Sequence, residues 1–201
     1  MNRIDVDIGC NFDADNAGSF DELLENLKAN GLAEKLHGVR FKPISETLRD
    51  RERLPSPAEM PCIYSEPATA RRMVELRRLA LQKGFRTDPG VGVNLCSMTA
   101  GNTMFTVDPT GKLFKCPALV GHAEFECGNI DSGEKPAQGP CEIWRRCLGC
   151  QYLPLCGEGC LFGSYLRFGD PYRLNCQKEY VSYLVRENLK LNYQYRRRSG
   201  V

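Results

Sequence analysis

Cys147, Cys150, Cys156 and Cys160 stand in the run C-L-G-C-Q-Y-L-P-L-C-G-E-G-C, and Cys176 follows after fifteen further residues. Thiolates are soft ligands, and a C-x2-C hairpin lets two of them converge on one metal. The C-x3-C step through Gly157 and Gly159 re-aims the next sulfur, because glycine tolerates the backbone of a sharp reversal. A C-x2-C-x5-C-x3-C run can therefore feed two sites at once. A structural zinc site is satisfied by four thiolates in total, whereas each iron-sulfur cluster takes about four of its own. Eleven cysteines is an odd number, and they crowd the C-terminal half, which favours ligation over a disulfide framework.

Bulk properties remove several function classes. Lys and Arg total 27 against 25 Asp and Glu, and a net charge of +2 does not make an extended surface for nucleic acid. No apolar run approaches the roughly 18 residues of a membrane-spanning helix. The opening Met-Asn-Arg-Ile-Asp-Val-Asp-Ile lacks a secretory leader, so the expected compartment is the cytoplasm, where thiols stay reduced.

The elements that must carry these thiols fall into two textures. Ile4, Val6 and Ile8 alternate with Asp5 and Asp7 as a strand does. A polar turn holding Asn11, Asp13, Asp15 and Asn16 leads to a helix capped by Ser19 or Asp21, with Leu23, Leu24 and Leu27 on one face and Asn30-Gly31 at its end. A second strand is expected over 39–44, a proline-rich loop over 46–67, and a second helix over about 68–83 ending at Gly84. Strand, helix, strand, helix is the alternation of a parallel α/β sheet, and two such units do not close a sheet or barrel.

From Phe85 the chain turns to glycine, cysteine and short strands. Residues 104–107 and 112–115 flank Asp108-Pro109-Thr110-Gly111, a hairpin signal that brings Cys96 near Cys116. Residues 128–139 read as a polar loop, and 177–194 as a closing amphipathic helix with Arg196 to Arg198 at its basic end. The fold class expected is α+β: residues 1–84 an α/β portion, residues 85–201 a cysteine-rich domain with a β-hairpin and a C-terminal helix.

Cys96, Gly111, Cys116, Cys147, Cys150, Cys156, Cys160 and Cys176 together resemble the seven-cysteine signature of the SPASM domain, the auxiliary-cluster domain of many radical S-adenosylmethionine (SAM) enzymes. The resemblance implies two auxiliary four-iron four-sulfur clusters. Cys96, Cys116 and Cys160 would ligate the first, and Cys147, Cys150, Cys156 and Cys176 the second. The first is one thiolate short, with Cys62 a candidate for the gap and an open iron the alternative. Glu158 stands where the family often has a second glycine, either beside a cluster or facing solvent. The first half resembles the last strand-helix units of a partial TIM-like barrel, but the C-x3-C-x2-C loop that holds the SAM-cleaving cluster occurs nowhere in the chain.

The resemblance thus implies the C-terminal portion of a maturase that modifies a ribosomally made peptide or protein. SAM and its own cluster would sit on the missing barrel portion, in a separate radical SAM core chain or a longer gene. The partners implied are the precursor substrate and a reductant such as ferredoxin or flavodoxin, with no nucleic acid and no membrane. Two other readings stand beside it: a zinc-binding module that holds a peptide or partner, and a standalone electron-transfer protein. Weaker signals are Asp5, Asp7, Asp13 and Asn16 near a strand end, Lys42 and Ser45, and the histidines His37 and His122. Tyr152, Phe162, Tyr165 and Phe168 are expected to pack near the cysteines.

Overall fold

The computed structural model describes residues 4–44, 66–92, 96, 98, 104–134, 143–157 and 159–199. They belong to two units. One takes 4–44, 66–92 and 179–199, and the other the described residues between 96 and 178.

In the first unit, β1 (Asp7–Phe12) and β2 (Gly38–Pro43) pair in parallel, from Asp7 opposite Gly38 to Phe12 opposite Pro43. A parallel bridge from Val39 to Thr87 extends the ladder on the far side of β2. The strand expected from Ile4 starts three residues later, and Ile4 and Val6 are exposed. β2 opens at Gly38, where a Cβ would lie 2.9 Å from Asp7 Oδ1, so glycine stands there. Cys10, Phe12, Val39 and Phe41 point to one buried face, while Gly9, Asn11, Arg40 and Lys42 are exposed.

The helices α1 (Phe20–Ala29) and α2 (Pro67–Gln82) supply the cover for the apolar face. Leu24, Leu76, Ala80 and Phe85 join the strand residues in one core, where Phe20 meets Phe41 edge-on at 5.5 Å. Ser19 precedes α1 as expected, but its hydroxyl donates back to Asn16 O and not onto the helix. Pro67 opens α2, where its missing N–H costs nothing. The proline-rich stretch before it, with Cys62, lies outside the described residues.

One side chain ties this unit together. Arg77 of α2 is 8% exposed. Its Nε donates to Thr87 Oγ1 and to the Asp88 carbonyl, Nη1 to Asn188 Oδ1 at 2.9 Å and Nη2 to Asn192 Oδ1. Both asparagines lie on α5 (Lys178–Ser199), and their amide nitrogens return to the carbonyls of Gly90 and Pro89. Tyr180 Oη adds a bond to Met73 Sδ. The closing helix, grouped by sequence with the cysteine-rich part, thus packs from residue 179 onward in the first unit. Amphipathic spacing says that a helix has a buried face, not which element covers it.

The second unit is built of short pieces. Strands β3 (Thr106–Val107), β4 (Lys112–Phe114), β5 (Glu126–Asn129) and β6 (Gly133–Glu134) form an antiparallel sheet in that order. The expected hairpin is present: Asp108 Oδ1 accepts from the Thr110 and Lys112 amides, and Gly111 takes φ +84°. Part of the expected polar loop over 128–139 is instead the β5–β6 pair, whose glycines hid its pattern. Helices α3 (Leu153–Cys156) and α4 (Leu161–Phe168) follow, with a small core of Leu119, Phe162 and Leu166. Helix and strand are therefore mixed in the chain, and neither sheet closes into a barrel. Among the described residues no helix is long and apolar enough to cross a membrane.

Replacing Arg77 strands several buried oxygens. Arg77→Met should cost about 2 to 4 kcal/mol in urea unfolding, while Arg78→Met, exposed one residue away, should stay within about 0.5 kcal/mol of wild type.

Candidate metal centre

Cys147 ends a 3-10 turn (Ile143–Cys147), and the chain turns through Leu148 and Gly149 to Cys150. The Cys150 amide donates to the Cys147 carbonyl at 2.9 Å, closing the C-x2-C hairpin. Helix α3 ends at Cys156, stopped by Gly157 in the left-handed region at φ +56°. Burial pushes the Cys156 thiol up, and the charges of Cys147, Cys176 and Cys150 push it further in the same direction. One sulfur therefore feels three others, and the four are Cys147, Cys150, Cys156 and Cys176. Their neighbourhood is shared, yet among the described residues no three Cys, His, Asp or Glu side chains close tightly enough to enclose a metal ion.

A second association involves Cys96, Cys116 and Cys160. Burial raises the Cys116 thiol, amides of Ala118 and Leu119 oppose the rise, and the charge of Cys96 adds to it. Cys96 thus lies within electrostatic reach of Cys116. Cys116 and Cys160 both pack against the Leu119, Phe162 and Leu166 cluster.

Backbone N–H groups aim at several of these sulfurs. The 3-10 turn Pro117–Leu119 directs two amides at Cys116, and the Gly159 amide favours the Cys156 thiolate. Gly163 N donates to Cys160 Sγ at 3.3 Å, so Cys160 serves as the N-cap of α4. Each bond stabilises charge on sulfur, the form in which a thiol binds metal. Thiolates are soft donors of the kind that iron and zinc take, and among Cys147, Cys150, Cys156 and Cys176 it is Cys156 that receives an amide, that of Gly159.

The other described thiols stand apart. Cys10 lies in the core of the first unit, and Cys127 Sγ donates to the Leu113 carbonyl. All nine described cysteines are thiols. Cys62, Cys141 and Glu158 lie outside the described residues. The aromatic residues behave as packing: Phe125 meets Tyr165 edge-on at 5.0 Å, and Arg167 and Arg173 flank the Phe168 ring.

The weaker sequence signals resolve locally. Asp13 Oδ1 accepts from the Asp15 and Asn16 amides, and Asn16 answers to Asp13 N and the Asn11 carbonyl, making a self-contained turn. Asp7 pairs with His37 Nδ1 at 3.0 Å and Arg40 at 2.8 Å, a partner for His37 that sequence did not give. A cavity of about 700 Å³ lies beside this pair, lined also by Arg77, Arg86 and Tyr195. It opens at the N-terminal end of β1 and β2, with Asp7 in its lining.

The chain matches no known protein family, curated protein or solved structure.

Burial also raises the Cys10 thiol above its ordinary value. The unfolded chain releases that proton from about pH 8.5, so the stability Cys10 contributes is full below that and falls as pH rises through the folded value. The urea-midpoint advantage of wild type over Cys10→Ala should shrink as pH rises above about 8.5.

Proposed function

We propose that this chain is the iron-sulfur part of a radical SAM/SPASM maturase, with the second unit as its auxiliary-cluster domain. The observation that carries the reading is the electrostatic neighbourhood of Cys156, made of the three thiols that the resemblance assigns to the same cluster. The pairing of Cys96 with Cys116, and the shared packing of Cys116 and Cys160, supports a first site assembled from those three.

On this reading Cys147, Cys150, Cys156 and Cys176 hold one four-iron four-sulfur cluster. Cys96, Cys116 and Cys160 hold three irons of the other, with Cys62 or an open iron at the fourth. One-electron transfer is the chemistry that such a cluster supplies there. The protein's own part is to hold the thiols, donate amides to sulfur, and exclude water with Leu119, Phe162 and Leu166. The parallel β1–β2 layer, open at β1 and polar on one face, corresponds to the last strands of a partial TIM-like barrel. SAM and its cluster belong to the remaining strands, in a separate core chain or a longer protein, and this chain alone does not cleave SAM. The substrate is a ribosomally made peptide or protein, and a ferredoxin or flavodoxin in the cytoplasm supplies electrons.

Anaerobic reconstitution with iron and sulfide tests the reading. Wild type should take up about eight irons per chain and absorb broadly near about 400 nm, and Cys150→Ala should lose about half the iron. A colourless protein that retains about two zinc ions would instead make the unit a structural binding module.

A further inference from the structure

Paired strands put residues of matching register on the same face of a sheet. Asp7 stands opposite Gly38, and the bridge from Val39 to Thr87 sets Gly38 beside Arg86, one residue earlier on each strand. Asp7, Gly38 and Arg86 therefore form one row on the polar face, and Arg40, two residues after Gly38, shares that face. A Cβ on Gly38 would meet Asp7 Oδ1 at 2.9 Å and the Arg86 carbonyl at 3.4 Å. The middle of the row is thus a notch floored by backbone.

The notch belongs to the cavity of about 700 Å³, whose lining includes Asp7, His37, Gly38, Arg40 and Arg86. That volume falls within the roughly 300 to 1,000 Å³ of small-molecule sites. Three arginines, Arg40, Arg77 and Arg86, line it against two carboxylates, Asp7 and Asp88, so positive charge is in excess before His37 is counted. The three guanidiniums differ in what they have left to give. Arg77 is buried and spends its nitrogens on oxygens of its own unit. Arg40 is held by Asp7 at 2.8 Å and stays half exposed. Arg86 is exposed and donates only to the Glu34 carbonyl, at 3.3 Å, with no carboxylate paired to it among the described residues. A guanidinium carries five N–H donors in a fork that matches an oxyanion, and most of this fork is unspent. Leu81 and Leu191 give the same cavity an apolar wall.

We propose that this cavity binds a small organic anion, whose phosphate or carboxylate group sits beside Gly38, held by Arg86 and Arg40, and whose apolar body lies along Leu81 and Leu191. Arg86 is the principal contact, because it brings a charge that nothing in the described chain answers. Asp7 orients Arg40 and His37, and its own charge is met by Arg40, so it does not repel the incoming group. The site uses no cysteine and lies wholly in the first unit, so it stands or falls separately from the cluster reading.

The test is a calorimetric titration of the full chain with phenyl phosphate and with benzoate, in wild type, Arg86→Gln and Lys42→Gln. Lys42 is an exposed cation on the same sheet face but outside the cavity lining. At least one probe should bind wild type, and Arg86→Gln should weaken it about tenfold or more, as loss of a charged hydrogen-bond donor does. Lys42→Gln should stay within about twofold of wild type, because a distant exposed charge contributes little. Tighter binding of phenyl phosphate assigns a phosphorylated ligand and tighter binding of benzoate a carboxylic acid, and either supports the site. No saturation by either probe up to about 10 mM would overturn it. So would unchanged affinity in Arg86→Gln, or an equal loss in Lys42→Gln. If Arg86→Gln does not fold, amide NMR of wild type decides. Shifts of the Gly38 and Arg86 amides under the tighter probe support the site, and shifts confined to other residues sink it.

Discussion

Sulfurs gathered in one place can ionise together only beside positive charge. Two like charges about 4 Å apart repel by about 4 kcal/mol at the effective dielectric of a protein surface. Burial and the charges of Cys147, Cys176 and Cys150 all push the Cys156 thiol toward its protonated form. The rest of the second unit is arranged around this constraint. Its strands are two to four residues long and its buried cluster centres on Leu119, Phe162 and Leu166. Small domains that do bind a structural metal draw folding free energy from it, which is what the proposed centre would add here. The amides aimed at Cys116, Cys156 and Cys160 then serve two ends, since they tether loops and stabilise charge on sulfur.

The first unit solves a different problem. Its parallel strands are buried on one face and polar on the other, whereas parallel sheets are ordinarily covered on both. The stability that a second cover would give comes instead from helices on the apolar face and from Arg77, a cation buried without a hydrogen-bonded carboxylate. Burial lowers its proton affinity and Asp88 restores part of it. Hydroxyl, carbonyl and amide oxygens of four partners share the charge, so the guanidinium joins α2, the segment after Phe85, and α5 at one point.

Much of this was legible in the residues. Alternation marked β1 and β2, leucine spacing marked α1 and α2, and Asp108 to Gly111 marked the hairpin. The structure sets Cys147, Cys150 and Cys176 within electrostatic reach of Cys156, and Cys96 within reach of Cys116. What the residues hid has physical causes. β5 and β6 carry too many glycines and polar residues for a strand pattern. α5 has an apolar stripe that fits several neighbours, and only the Arg77 network selects one. Arg86 looks like any surface arginine until the bridge from Val39 to Thr87 sets it beside Gly38.

The first unit is discontinuous in the chain, and this decides the order in which the protein can form as it is made. Translation delivers every cysteine of the second unit before α5 has emerged, so the thiols can gather while the first unit still lacks the asparagines that Arg77 requires. The cysteine-rich part is thus able to gather its thiols on the ribosome ahead of the scaffold that precedes it. A chain interrupted shortly after Cys176 would carry all its cysteines on a body whose other half stays unfinished.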